Sequence, residues 1–124
     1  MPKYDNFTDI ATILDDYSKN IYEGMENASN TIAKSGAKTL KLTSPERTGK
    51  YKKGWRVKQD KNFYSFSSTI YNATNGQLTH LLEKGHIKRN GHGKVKPIVH
   101  IRPVEQECIR DYERAVVNII KKGV

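Results

Sequence analysis

The sequence predicts an α+β fold: a long N-terminal helix, a small antiparallel β-sheet, a short helix, a basic loop and a C-terminal helix packed on the sheet. Three observations predict it. Apolar residues recur at helical spacing through the first third of the chain, residues 55–70 alternate at strand spacing, and helical spacing returns after Pro103. The order helix, strands, helix, with pairing between sequence neighbours, fits α+β rather than a parallel βαβ sheet.

In the first element Ile10, Leu14, Tyr17, Ile21, Met25, Ala28 and Ile32 form one continuous stripe. Thr8 is the expected N-cap, and Asp9 sits where the helix dipole favours an acid. Unbroken to Leu40, such a helix runs roughly 50 Å, longer than a domain of this size is wide. Part of its stripe is therefore expected to pack on another molecule, with Ile21 as the contact. Gly24 and Gly36 each cost about 1 kcal/mol relative to Ala inside a helix, and either is expected to mark a bend. The alternative is two helices with a kink, both packed on their own sheet.

Lys41–Lys53 reads as a polar, basic connection punctuated by Pro45 and Gly49. Thr48-Gly49-Lys50 does not make a phosphate-binding loop. The upstream glycine is missing and Tyr51 stands where Ser or Thr would bind the metal. Next, Trp55 and Val57 alternate with Arg56 and Lys58, Asp60-Lys61-Asn62 reads as a turn, and residues 63–70 alternate again. Two such runs imply an antiparallel hairpin. Aromatics among bases can form a stacking platform for single-stranded nucleic acid. The inward face of a sheet is the favoured reading, since large apolar groups contribute most to burial.

Leu78, Leu81 and Leu82 mark a short helix, with Gly85 at its end as a left-handed cap. About a dozen residues follow that are rich in Gly, Lys and Arg and hold no acid, as far as Pro97. Val99 and Ile101 alternate with His100 and Arg102, a third short strand. The last helix is expected to start at Pro103, its stripe running through Val104, Cys108, Tyr112, Val116 and Ile119. Trp55, Phe66, Val99, Ile101 and Tyr112 are expected to share one core. Cys108 then reads as a small buried hydrophobe.

The chain has 124 residues, a 35% hydrophobic fraction and a net charge of +9, with a mean hydropathy of −0.76. That length fits one domain. No apolar run approaches the length of a membrane span, and residues 1–16 show no secretory pattern, so no membrane partner is expected. The single cysteine excludes an internal disulfide. Positive charge sits in two blocks: residues 38–61 hold nine bases against two acids, and residues 84–102 hold six bases and no acid. Residues 1–37 are net acidic. Basic blocks of this kind bind phosphate or an acidic protein, or simply keep a surface solvated.

His80, His86, His92 and His100 are the catalytic candidates. His86 and His92 share a Gly-rich loop with no carboxylate, which gives metal-nuclease chemistry no rigid ligand set. A His–Lys pair could run general acid–base hydrolysis, but no spacing singles one out. No enzyme activity, cofactor or metal site is expected. A small basic nucleic-acid-binding protein or ribonuclease remains the alternative class.

Two stretches carry a family resemblance. Leu82-Glu83-Lys84-Gly85-His86, the basic loop and Pro97-Ile98-Val99-His100-Ile101-Arg102-Pro103 resemble the C-terminal half of the head–tail joining (neck or tail-completion) proteins of long-tailed phages. That family is typified by the gene-ten product of phage Hong Kong ninety-seven. Ser44-Pro45-Glu46-Arg47-Thr48-Gly49-Lys50-Tyr51 is similar to the family's other hallmark, a Ser-Pro-x-x-Thr-Gly-Arg/Lys turn before the first strand. Together they span about half the chain, in family order. The chain departs from the family at Ile98–Ile101, where relatives carry an aromatic patch. The resemblance implies a structural virion protein at the head–tail junction of a phage or prophage. It would be made in the bacterial host cytoplasm and assembled as a ring, with a hexamer the expected form. Its implied partners are further copies of itself, other connector and tail proteins, and transiently the phage DNA. Lys84, Lys88, Arg89, Lys94 and Lys96 are the expected partner contacts, on a loop that becomes ordered against an acidic neighbour.

Overall fold

The structure, a computed structural model, describes residues 7–46, 49–63, 65–88 and 91–122. The expected α+β arrangement is the one observed. Helix α1 (Phe7–Thr43) is followed by one turn of helix, α2 (Lys50–Lys53), and by strands β1 (Trp55–Lys61) and β2 (Phe66–Asn72). Helix α3 (Leu78–Lys84), strands β3 (His86–Ile87) and β4 (Lys94–Val95) and helix α4 (Ile101–Lys122) complete the order. Strands β1 and β2 form an antiparallel hairpin with Trp55 opposite Asn72 and Lys61 opposite Phe66.

Helix α1 is continuous over 37 residues, about 55 Å. It starts at Phe7, so Thr8 lies inside its first turn and not ahead of it. Neither glycine breaks it; both mark close approach. A methyl group on Gly24 would lie 3.2 Å from Ile119 Cγ2, and one on Gly36 would lie 2.8 Å from Cys108 Sγ and 2.9 Å from Ile70 Cδ1. Helix α4 therefore runs antiparallel along α1, and α1, β2 and α4 meet over Gly36. These distances set different expectations for two alanine substitutions. Gly36→Ala gains about 1 kcal/mol of helix propensity but overpacks a junction of three elements, which costs about 1–3 kcal/mol. The net should be a loss. Gly24→Ala meets a single side chain, Ile119, at 3.2 Å and no second element, so its packing cost is smaller and the net should be close to neutral. Urea melts of the two variants check this; equal effects would contradict the packing.

The hairpin lies along the same helix. Phe66, Ser68 and Ile70 point toward α1: Phe66 meets Tyr22 edge-on at 5.2 Å, and Ser29 donates to Ser68 across 2.9 Å. The turn falls later than Asp60-Lys61-Asn62, because Asn62 closes it. Its carboxamide oxygen accepts from the Ser65 backbone N–H at 2.8 Å, and its own N–H donates to the Ser65 carbonyl at 2.9 Å. Asp60 and Lys61 thus remain in the strand. Tyr64 lies outside the described residues.

The buried core is Ala37, Leu40, Tyr51, Trp55 and Val104, with Ile70, Leu78, Leu82 and Ile101 among the residues packed around it. Of the expected core, Trp55 and Ile101 belong here. Phe66 and Tyr112 are half-buried elsewhere, and Val99 is 56% exposed. Val99 fails because the third strand does not form: residues 96–100 are an irregular lead-in, and α4 starts at Ile101, two residues before Pro103. Cys108 is half-buried against the Ile32 carbonyl, 3.9 Å away. Burial, then Asp111 and Glu107, push its thiol pKa up, as suits an unreactive packing residue. Between β2 and α4 an open cleft of about 610 Å³ remains, lined by Ile70, Val104 and Ile109 among others. The main partner of α4 is accordingly α1, and Val104 joins α4 to the core with Trp55 and Ile70.

Candidate functional site

The two stretches that carry the family resemblance converge on one buried polar seam. Ser44, just past α1, is 4% exposed and accepts a hydrogen bond from the Trp55 indole N–H at 2.7 Å. Gly49, at φ 84°, turns the chain into α2, where left-handed backbone favours glycine. That turn points Tyr51 inward. Its hydroxyl lies 2.7 Å from His100 Nε2. His100 Nδ1 is 2.7 Å from the Ile98 carbonyl. A carbonyl only accepts, so Nδ1 carries a proton, with the Glu83 Oε1 also 3.2 Å from it. In the neutral ring Nε2 then accepts from the Tyr51 hydroxyl, and in the charged ring it donates to that hydroxyl. The Tyr51, Trp55 and His100 rings stack edge to face. Asn72 completes the seam, donating to the Tyr51 carbonyl at 2.7 Å.

Glu83 fixes the other side. Its carboxylate accepts from three successive backbone N–H groups at the start of α4. His100 and Ile101 donate to Oε1 at 2.8 and 2.9 Å, and Arg102 to Oε2 at 2.9 Å. These are the N–H groups a helix cannot satisfy internally, and a carboxylate there is also favoured by the helix dipole. This cap is the physical reason that residues 98–102 do not form a strand. Burial raises the Glu83 pKa, but the three N–H donors and nearby His100 outweigh it, and the net shift is downward. Tyr51 moves the other way, to about 12, through burial first and then the Glu83 charge.

This arrangement looks like a chemical triad and is closed to substrate. Tyr51 is 6% and His100 4% exposed, and the Tyr51 hydroxyl and both His100 ring nitrogens have internal partners. Among the other positions of those two stretches, Gly85 is architectural too. Gly85 adopts φ 76°, ψ 175°, not a left-handed cap but an extended conformation that is nearly glycine-only. A methyl group there would strike the Val95 carbonyl oxygen and crowd Pro97. Pro45 is half-buried, whereas Arg102 and Pro103 are exposed in the first turn of α4. Thr48 lies outside the described residues. The other histidines do not join His100: His80 and His92 are exposed and His86 is half-buried. Among the described residues, no group of three or more His, Cys, Asp or Glu side chains could hold a metal ion.

The two arms of the basic loop pair with each other. The loop folds as a small hairpin in which His86 pairs with Val95 and Ile87 with Lys94. The Lys88 N–H donates to Gly93 and the Gly91 N–H to Lys88, with Gly91 and Gly93 at positive φ. Its base is tied back by the Ile98 N–H, which donates to the Leu82 carbonyl at 2.6 Å. Lys84, Lys88, Lys94 and Lys96 are all exposed. Arg89 lies outside the described residues.

The exposed apolar part of the α1 stripe lies upstream of the expected contact. Ile21, the residue singled out on α1, is only half-exposed. It lies between Tyr17, whose hydroxyl reaches the Ile120 carbonyl at 3.4 Å, and Gly24, which faces Ile119. Upstream, beyond the end of α4, Ile10 and Leu14 are 49% and 62% exposed. The stripe that contains them was visible in the sequence; where α4 would stop covering it was not. Among the described residues no helix is long and apolar enough to cross a membrane. No family model, curated protein or solved structure matches the chain.

Proposed function

We propose that this chain is a structural component of a tailed-phage or prophage head–tail joint, assembling with copies of itself and with neighbouring connector and tail proteins. Its work on this reading is binding and not catalysis. The observation that carries the proposal is the convergence of Ser44, Gly49 and Glu83 around the Tyr51–His100 seam. The residues of the two resembling stretches, far apart in sequence, together hold one junction from which the basic hairpin projects. That division of labour, a rigid base and a charged presented element, suits a joining protein.

The basic hairpin is assigned to an acidic protein face at the joint. Phosphate contacts strong enough to retain DNA would obstruct genome passage. Replacing Lys84, Lys88, Arg89, Lys94 and Lys96 together with Ser should abolish joined particles while leaving the melting temperature of the isolated chain nearly unchanged, because the side chains described there are exposed. Normal joining by that variant would remove the hairpin from the interface. The nucleic-acid alternative separates by salt: about five phosphate contacts require a log–log affinity slope of roughly −4 to −5.

A further inference from the structure

We propose that the overhanging start of α1 docks into a basic groove between α1 and β1 of a second copy, so that the chain assembles head to tail. The inference deepens the ring reading above, and its observations are independent of the family resemblance. Ile10, Ile13, Leu14 and Tyr17 are all exposed. At 3.6 residues per turn they fall within an arc of about 100°. Asp9 and Asp16 border that arc, Asp15 lies behind it, and residues 7–17 hold no base. The segment is thus an apolar ridge on an acidic helix.

The complementary surface lies near the other end of the same helix. A groove of about 460 Å³ runs between α1 and β1, with Ala37, Trp55 and Val57 along it and Lys34, Lys38, Lys41 and Arg56 around it. All four bases are exposed. An acidic apolar ridge and a basic groove with an apolar floor match in both charge and hydrophobicity. They cannot meet within one molecule. Leu14 and Lys38 lie on one unbroken rod, about 36 Å apart at 1.5 Å per residue. The ridge must therefore enter the groove of another copy. Because ridge and groove are different surfaces, each docked copy still offers one of each, and the contact propagates until a ring closes or a filament grows.

Sedimentation velocity and light scattering test this at roughly 100 µM, since a single helical segment makes an interface at the small end of the usual range. Wild type should assemble, and raising salt to about 0.5 M should weaken assembly several-fold, because the ion pairs are screened. Ile10→Ser/Leu14→Ser removes the ridge and Lys38→Glu/Lys41→Glu cancels the positive charge of the groove. Each variant alone should be monomeric with unchanged circular dichroism. Mixed in equal amounts they should form one-to-one dimers that grow no further, because one supplies only a groove and the other only a ridge. A monomeric wild type, single variants that assemble like wild type, or a mixture that stays monomeric would each overturn the contact. So would loss of assembly on Ile109→Glu with Lys38→Glu/Lys41→Glu still assembling, which places the ridge in the β2–α4 cleft. Particle joining is read separately: variants that fail to assemble in solution yet join heads to tails normally would separate this contact from the tail reading.

Discussion

Trp55→Ala should lower the stability of the chain by about 3–5 kcal/mol, the usual cost of deleting a buried aromatic side chain. Trp55 is 3% exposed, belongs to the central core cluster with Leu40, Tyr51 and Val104, and spends its indole N–H on Ser44. Removing it opens a cavity beneath α1 and takes a ring partner from both Tyr51 and His100. For a protein of this size the loss corresponds to a drop in melting temperature of roughly 10–20 °C, and against a typical total of about 5–15 kcal/mol it is a large fraction. Trp55→Phe separates the two contributions. It keeps most of the packing and loses the hydrogen bond, for about 1–2 kcal/mol. Denaturant melts followed by far-ultraviolet circular dichroism read both variants. A Trp55→Ala protein melting within a degree or two of wild type would take Trp55 out of the core.

Much of this fold was legible because its signals are local. The α1 stripe, the alternation from Phe66 to Ile70 and the leucines of α3 each declare their element within one window of sequence. The errors arose wherever a distant residue decides the local structure. Gly24 and Gly36 read as bends on propensity alone, but Ile119 and Cys108, from the other end of the chain, require the missing side chains. Ile98–Arg102 alternates like a strand, but four or five residues of alternation do not distinguish a strand from the lead-in to a helix. The deciding partner is Glu83, seventeen residues before His100. The seam was hidden for the same reason. His100 stood out as a possible catalytic group, and Tyr51 only as the end of a turn motif. Their pairing across 49 positions has no signature in either neighbourhood. By contrast, the excess length of α1 followed from arithmetic on helix rise, and the exposed ridge at Ile10 and Leu14 is its physical consequence.

Glu83→Ala should destabilise the chain by about 2–4 kcal/mol and flatten its acid limb. The magnitude follows from the loss of a helix cap, typically about 1 kcal/mol, made larger here because three N–H groups share one partly buried carboxylate and hydrogen bonds to charged groups contribute about 1.5–3 kcal/mol each before water replaces any of them. The loss should spread beyond α4, since His100 would be freed on one side and the Tyr51–His100 bond loosened with it. The pH dependence follows from the direction of the shift. The folded-state pKa of Glu83 is depressed, so its contribution is fully present above the unfolded-state value. It is lost progressively as pH falls through the folded-state value. Wild type should therefore lose stability as pH is lowered from about 5 to about 3, and Glu83→Ala should lose distinctly less over the same interval. Glu83→Gln, which retains one acceptor oxygen without the charge, should fall between them in stability and share the flattened limb. Other carboxylates contribute to both wild type and variants, so the difference between the curves isolates Glu83. Parallel curves, offset by a constant amount from pH 7 to pH 3, would mean that the carboxylate charge does not hold the start of α4.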